Sequence, residues 1–199
     1  NTGGMGAYSP SLLIDKEVEI KIIKKIIKPT IQGMKEIGCP YKGILYAGLM
    51  IKNKEPKLIE YNIRFGDPEC QVLMMRLKSD LIDVIMSTLE ENLISQNLLW
   101  SDHPSITIVA ASKGYPEKFE IEKEIKNLPD NSKNKNEQMF HAGTIKKNNK
   151  ILSYGGRVLN STVSLKTMKE SRDRAVELLD KINWENKYYR RDIGWRAIK

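Results

Sequence analysis

Three polar residues at alternate positions, Glu60, Asn62 and Arg64, have side chains that could bind a metal ion and a phosphate. Successive side chains of a β-strand point to opposite faces, so in a strand these three would share one face. The apolar residues around them, which include Ile59 and Ile63, would form the opposite, core face. A carboxylate and an amide oxygen are hard ligands suited to Mg²⁺, which takes few protein ligands and fills its remaining positions with water and phosphate oxygens. The arginine would meet the bound anion.

The same alternation is typical of a strand with one solvated face, so the pattern alone leaves both interpretations open. The turn Phe65-Gly-Asp-Pro68 favours a site, because loops that follow a rigid strand often carry binding residues. A second candidate is the glycine-rich loop over 2–10, with Gly3, Gly4 and Gly6, whose backbone N–H groups could approach an anion. This loop matches neither a Gly-Lys-Ser/Thr phosphate loop nor a Gly-x-Gly-x-x-Gly site, and a plain surface turn is its simpler explanation.

Length and composition narrow the possible functions. The 199 residues suffice for one large or two small domains, and the net charge is +8. The excess lysine is spread along the chain rather than grouped with aromatics, so we expect no nucleic-acid partner. No apolar run approaches the length of a membrane span, so we expect no membrane partner either. The two cysteines lie outside any recognised motif, which favours a reduced, cytoplasmic setting. With only two histidines, a zinc site or histidine-based nucleophilic catalysis is not favoured.

Periodicity predicts the elements of the first half. Asp15 should cap an amphipathic helix that Pro29 interrupts or kinks, with a second piece running to Ile37. The apolar stretch 43–51 predicts a strand buried on both faces, and the turn 53–56 should join it to the polar strand as an antiparallel hairpin. Two helices should follow, over 69–77 and 80–93.

The second half predicts a smaller mixed β/α domain. Its regular elements should be a strand over 103–111, two strands over 139–145 and 150–159 that pair with each other, and a helix over 167–182. Gly155-Gly-Arg157 should form a bulge or a point of close backbone approach. Residues 127–138 should form a polar loop. We place the domain boundary near residue 98, which gives domains of 1–98 and 99–199.

Six short motifs along the whole chain occur in the same order in one enzyme family. They are Asn1-Thr-Gly-Gly-Met-Gly-Ala-Tyr-Ser-Pro10, Glu60-Tyr-Asn-Ile-Arg-Phe-Gly-Asp-Pro-Glu69, Arg76-Leu-Lys-Ser-Asp-Leu81, His141-Ala-Gly-Thr144, Gly155-Gly-Arg-Val-Leu159 and Tyr189-Arg-Arg-Asp-Ile-Gly194. On these residues the sequence resembles the phosphoribosylamine–glycine ligases, also called glycinamide ribonucleotide synthetases, of the ATP-grasp superfamily. The resemblance implies an α+β fold. In it, the C-terminal half of an ATP-grasp domain, an antiparallel sheet with packed helices, precedes a small mixed β/α C-terminal domain.

The resemblance also implies an activity, that of an ATP-dependent ligase of de novo purine biosynthesis. Such a ligase joins glycine to 5-phosphoribosylamine through a glycyl phosphate, with ATP as co-substrate. The metal cofactor would be Mg²⁺ (or Mn²⁺), held by Glu60 and Asn62, the residues that the strand pattern selects. Arg64, on the same face, would be the catalytic residue that stabilises the phosphoryl group.

Substrate contacts implied by the resemblance lie in the two loops. Asp67 would contact an amino group of a substrate, although an Asp before proline also forms turns. Gly3, Gly4 and Gly6 would line the substrate side of the site. Three arginines could contact phosphate groups, but we expect them instead to form structural pairs between the two domains. They are Arg157, Arg190 and Arg191.

In this family an N-terminal domain, and the lid and nucleotide-binding part of the grasp, precede the first motif. The present sequence opens within that motif, at Asn1. We therefore expect it to be part of a longer polypeptide, with the N-terminal half as its partner, and to be catalytically silent when isolated. Another ATP-grasp ligase of the purine pathway is the nearest alternative. A basic nucleic-acid-binding module without enzymatic activity is a second.

Overall fold

The chain divides into two compact units. The computed structural model describes residues 3–93 and 98–198. The sheet unit comprises Asn1–Pro10, Asp67–Leu77 and Trp100–Lys199, and the hairpin unit comprises Ser11–Gly66 and Lys78–Leu99. The chain passes from one unit to the other after residue 99, but two early segments also belong to the sheet unit. The predicted domain boundary near residue 98 stays a prediction.

Helices and strands are mixed along the chain. The helical segments are α1 (Lys16–Ile22), a π-helical turn (Ile23–Ile27), α2 (Lys28–Glu36), α3 (Glu69–Arg76), α4 (Leu81–Leu89), α5 (Met168–Lys181) and a 3₁₀ turn (Trp195–Ala197). The strands are β1 (Gly6–Ser9), β2 (Tyr46–Lys52), β3 (Glu55–Asn62), β4 (Ser105–Ser112), β5 (Glu124–Ile125), β6 (Glu137–His141), β7 (Thr144–Lys147), β8 (Lys150–Ser153), β9 (Arg157–Ser164) and β10 (Lys187–Tyr188). The described strands pair antiparallel. Within the described ranges, no helix combines the length and apolar character needed to cross a bilayer.

The sheet unit is built on a five-stranded antiparallel sheet. β4 and β9 pair at its centre, β1 and β10 pair with β4, and β6 pairs with β9. All eight residues of β4 are buried, and the hydroxyls of Thr107 and Thr162 satisfy each other across the two central strands at 2.7 Å. Helix α5 packs on β4 and β9. The core includes these side chains: Ile106, Ile108, Val158, Leu159, Val163, Ala175, Leu178 and Leu179.

A capping box sets the start of α5. Thr167 Oγ1 accepts a hydrogen bond from the Glu170 N–H at 3.2 Å, and Glu170 Oε2 accepts one from the Thr167 N–H at 3.0 Å. We expect Thr167→Ala to lower the free energy of unfolding of the sheet unit by about 1 kcal/mol, because it removes the N-cap acceptor. Thr167→Ser keeps the hydroxyl and should stay within about 0.5 kcal/mol of the parent.

Urea unfolding followed by tryptophan fluorescence measures both variants. Residues Trp100, Trp184 and Trp195 all lie in the sheet unit, so the signal reports on that unit. An equal loss of stability in the alanine and serine variants would contradict the capping role.

A three-stranded antiparallel sheet of order β5-β8-β7 completes the sheet unit. β7 and β8 form a hairpin across Asn148 and Asn149, whose φ angles of 50° and 58° suit a type I′ turn. The predicted pairing of 139–145 with 150–159 is confirmed, since His141 pairs with Leu159 and Thr144 with Ser153. The pair is divided between two sheets, with β6 and β9 in the larger sheet and β7 and β8 in the smaller one. The predicted close approach near Gly155 is confirmed: a Cβ added to Gly143 would lie 2.8 Å from Gly155 Cα.

In the hairpin unit, α1, the π-helical turn and α2 follow one another without a gap. Asp15 caps α1 as predicted, and its carboxylate accepts from the Val18 N–H at 2.9 Å. Pro29 lies in the first turn of α2 and has no N–H to donate. The wider π-helical turn comes just before it, and the Thr30 hydroxyl donates to the Ile26 carbonyl at 2.8 Å. The predicted interruption at Pro29 therefore takes the form of a π-helical turn rather than a break.

β2 and β3 form the predicted antiparallel hairpin. Asn53 and Lys54 join them with φ angles of 51° and 61°, as a type I′ turn requires. The prediction that the first strand is buried on both faces was wrong, since β2 begins at Tyr46, is at most half-buried and exposes Met50. A two-stranded sheet has too few neighbours to bury both faces of one strand.

A bulge changes the faces of β3. The pairing with β2 skips Ile59, while Leu58 and Glu60 pair with successive residues of the partner strand. A bulge inserts one residue and reverses the alternation of faces beyond it, so Tyr61 lies on the face of Leu58. Ile59 and Ile63 are 63% and 76% exposed. The predicted core face containing these two isoleucines was therefore wrong.

Candidate active site

The polar row at the end of β3 forms a chain of side-chain contacts. Glu60 and Asn62 lie two residues apart beyond the bulge, and the Asn62 amide donates to Glu60 Oε1 at 3.3 Å. Arg64, just past the strand, donates to Asn62 Oδ1 at 3.4 Å and to the Phe65 carbonyl at 2.8 Å. The structure therefore brings the three predicted residues together on a surface that solvent reaches.

Oxygen atoms in this row fit a hard divalent cation. Glu60 supplies a carboxylate and Asn62 an amide oxygen. The hydrogen bond between the two side chains is long and therefore weak, so replacing it with contacts to a cation costs little free energy. Gly48 pairs with Glu60, and an added Cβ there would lie 3.1 Å from Glu60 Cγ, so the glycine leaves space for the acidic side chain. Across residues 3–93 and 98–198, no group of three or more His, Cys, Asp or Glu side chains could hold a metal. A cation here would have few protein ligands, as is usual for Mg²⁺.

The three glycines of the first loop have different surroundings. A side chain at Gly3 would meet open space. Gly4 has a φ of +74°, and an added Cβ would lie 2.6 Å from Nη1 of Arg157. Gly6 begins β1, and its added Cβ would lie 2.7 Å from the Ile193 side chain. Packing thus accounts for Gly6, and a contact with Arg157 accounts for Gly4. Residues 1 and 2 of this motif lie outside the described residues.

Arg157, at the start of β9, joins the glycine loop to the turn that holds Asp67. Nη1 donates to the Gly4 carbonyl at 3.1 Å and to the Asp67 carbonyl at 2.7 Å. Nη2 forms an ion pair with Asp67 Oδ2 at 3.0 Å. The planar guanidinium can do this because it presents several donors in a fixed fork. Arg157 thus contacts residues of the predicted first domain, but Gly4, Asp67 and Arg157 all belong to the sheet unit, so the pairing between domains stays a prediction for Arg157.

Gln71, which the sequence did not single out, contacts the candidate site residue Asp67. It lies four positions after Asp67, and its Nε2 donates to Asp67 Oδ1 at 3.4 Å. Its Oε1 is buried and has no hydrogen-bond partner among the described residues. The signal in the sequence was the spacing of four, which brings two side chains to neighbouring positions at the start of a helix.

The other two arginines have local partners. Arg190 binds Asp192 through two hydrogen bonds of 2.9 and 2.6 Å. Arg191 pairs with Asp180, which also accepts a hydrogen bond from the Tyr189 hydroxyl. Burial, and then the hydrogen bond to Asp180, raise the pKa of Tyr189 to about 12. All these residues belong to the second half of the chain, so the prediction of pairing between domains was wrong for Arg190 and Arg191.

Solved structures place this architecture in a known class. The crystal structure of a phosphoribosylamine–glycine ligase from Thermotoga maritima matches with a TM-score of 0.85 and 33% identity, over 96% of this chain and 46% of that chain. A biotin carboxylase from Campylobacter jejuni matches with a TM-score of 0.62 and 16% identity, over 94% of this chain and 41% of that one, which shows the fold alone. The predicted fold is confirmed: the chain is an α+β protein with the C-terminal half of an ATP-grasp domain followed by a small mixed β/α domain.

Family models and relatives identify the family. Residues 1–70 match the ATP-grasp (A) domain of phosphoribosylglycinamide synthetase, and residues 105–196 match its C domain. A phosphoribosylamine–glycine ligase from Rhizobium meliloti is 48% identical over 198 residues. The chloroplastic phosphoribosylamine–glycine ligase from Arabidopsis thaliana is 46% identical over 203 residues, and each match covers all of this chain. The chain therefore belongs to the phosphoribosylglycinamide synthetase family. It spans 46% and 38% of those two relatives, about half their length or less.

Proposed function

We propose that this chain is the C-terminal part of an ATP-dependent ligase that joins glycine to 5-phosphoribosylamine in de novo purine biosynthesis. The observation that carries the proposal is the contiguous row of Glu60, Asn62 and Arg64, which lies within the region that matches the family's ATP-grasp domain. Relatives named phosphoribosylamine–glycine ligase support the same substrates. The upstream half of the polypeptide is the partner that supplies the rest of the site.

The proposed reaction has two steps. A carboxylate oxygen of glycine attacks the γ-phosphorus of ATP, the bond to the bridging oxygen breaks, and ADP leaves with the electron pair. The amine nitrogen of 5-phosphoribosylamine then attacks the carbonyl carbon of glycyl phosphate. The bond from that carbon to the phosphate oxygen breaks, phosphate leaves, and the nitrogen loses a proton as the amide forms.

The polar row serves the first step. Glu60 and Asn62 would hold Mg²⁺ (or Mn²⁺) through their side-chain oxygens. Such an ion, when bound, offsets the charge of the ATP phosphates. Arg64 presents its donors beside Asn62 and stabilises the negative charge of the transferred phosphoryl group.

Asp67 is the proposed contact for a substrate amino group. Its Oδ2 is taken by Arg157, whereas among the described residues Oδ1 has only the long contact of 3.4 Å with Gln71. An ionised carboxylate accepts hydrogen bonds and donates none, so the remaining capacity of Oδ1 suits an amine or ammonium group. Gly3 and Gly4 would line the substrate side near this carboxylate.

ADP formation tests the proposal in the full-length protein that contains this chain. We expect steady-state ADP release to require both glycine and 5-phosphoribosylamine, with one ADP for each amide formed. The isolated 199-residue chain is the control and should form none, because it spans less than half of its relatives. ADP release that needs neither substrate, or that needs a different carboxylate and amine, would contradict the proposal and favour another ATP-grasp ligase.

A further inference from the structure

We propose that Arg157 is a positioning residue that orients the Asp67 carboxylate so that Oδ1 is presented to a primary amine of a substrate. The inference rests on the proposed function, because it takes the recognised group to be the amino group of glycine or of 5-phosphoribosylamine. Both sources share one chemistry, a nitrogen that donates hydrogen bonds, and the experiment below separates them.

The contacts of Asp67 divide its two carboxylate oxygens. Oδ2 lies 3.0 Å from Nη2 of Arg157, in a charge-assisted hydrogen bond. Oδ1 lies 3.4 Å from the Gln71 amide nitrogen, which is a weak hydrogen bond. The Asp67 side chain is 50% exposed, whereas that of Arg157 is 25% exposed. The carboxylate is thus anchored at the oxygen that faces the arginine and keeps acceptor capacity at the other.

Two backbone contacts make the arginine specific for this task. Nη1 bridges the carbonyls of Gly4 and Asp67 at 3.1 and 2.7 Å, so one nitrogen ties the glycine loop to the turn before α3. The loop approaches so closely that an added Cβ at Gly4 would lie 2.6 Å from Nη1. Lysine has one compact ammonium group and cannot hold both carbonyls and the carboxylate in the same geometry.

A purely structural tie is the competing explanation. Arg190 is an arginine of that kind, since it pairs with the exposed Asp192 two residues away. Loss of a structural tie lowers stability without acting on one class of substrate. Loss of a positioning residue changes the KM for the amine that Asp67 contacts. The two explanations therefore differ in the kinetic constant that each affects.

Steady-state kinetics of the full-length ligase with Arg157→Lys test the inference. We expect the KM for the recognised amine substrate to rise about tenfold or more, while the KM for ATP changes less than about twofold. Separate titrations of glycine and of 5-phosphoribosylamine show which amine is recognised. Arg190→Lys is the matched control and should leave all three KM values within about twofold of the parent. The Tm of each variant, measured in parallel, reports on folding.

A double-mutant cycle shows whether Arg157 acts through Asp67. Asp67→Asn should raise the same KM, and adding Arg157→Lys should raise it less than about threefold further, because coupled residues are not additive. Effects that multiply would overturn the inference, as would an Arg157→Lys enzyme with a lower Tm and unchanged KM values. If the parent enzyme does not use glycine and 5-phosphoribosylamine, the proposed function itself fails. If the parent does and Arg157→Lys behaves like Arg190→Lys, only this inference fails.

Discussion

Glu60→Gln is expected to lower the kcat of the full-length ligase by about 1,000-fold, which corresponds to ~4 kcal/mol of transition-state stabilisation. Glutamine keeps the size of the side chain but removes the negative charge that would hold a divalent cation. The fold should survive, because Glu60 is exposed on a two-stranded hairpin. Initial rates at saturating substrates over a range of Mg²⁺ concentrations measure the effect, and half-maximal activity should need more Mg²⁺ than in the parent.

Two further variants test whether the effect of Glu60→Gln is specific to the proposed metal ligands. Asn62→Ala removes the second proposed ligand and should lower kcat in the same direction, also by about 1,000-fold. Glu55→Gln is the matched control, because Glu55 lies on the same strand and pairs with Lys21 and Lys25 rather than with the polar row. It should change kcat less than about twofold, since exposed ion pairs contribute little. Near-parental turnover of Glu60→Gln at low Mg²⁺ would refute the metal assignment.

Arg64→Met is expected to lower kcat by about 100- to 1,000-fold, the usual effect of removing one preorganised donor from a developing negative charge. Methionine keeps much of the length of the side chain and removes the guanidinium. The KM for ATP should stay within about threefold, because the proposed contact strengthens as the phosphoryl group is transferred. Single-turnover formation of ADP from enzyme, ATP and glycine measures the affected step directly.

Lys57→Met is the matched control for Arg64. Lys57 is a cation on β3, the strand that carries Glu60. It pairs with Met50 and Glu60 pairs with Gly48, two positions away, so the Lys57 and Glu60 side chains lie on one face of the hairpin. We expect its kcat to stay within about twofold of the parent, because a surface cation away from the phosphate contributes little. A higher KM for ATP with unchanged kcat in Arg64→Met would assign Arg64 to ground-state binding instead.

Elements with local signals were predictable from the sequence. Asp15 before an amphipathic run predicts the start of α1, and the cap hydrogen bond is present. The β2–β3 hairpin has its turn where the sequence predicts one, since Asn53 and Lys54 separate two strands of suitable composition. Helix α5 falls within its predicted range. In each case the decisive contacts join residues close together in the chain.

Features that depend on distant partners were mispredicted. The bulge at Ile59 arises from how β3 pairs with β2, and it exposes a residue that alternation alone assigns to the core. The predicted strand pair of 139–145 with 150–159 forms but is divided between two sheets, because β9 also pairs with β4 and so draws β6 into the larger sheet. Pro29 predicts that the helix is interrupted, but it does not specify that the interruption is a π-helical turn over Ile23–Ile27.

The sequence by itself predicted the polar row of Glu60, Asn62 and Arg64, because residues two apart share a face of a strand and the bulge of β3 comes before Glu60 rather than within the row. Only the tertiary structure decided which cation anchors Asp67. Its partner Arg157 is 90 residues away in sequence, and the Gly4 carbonyl to which Arg157 also donates is 153 residues from Arg157. Pairing of β9 within the sheet unit positions that guanidinium, and no local pattern encodes such a contact.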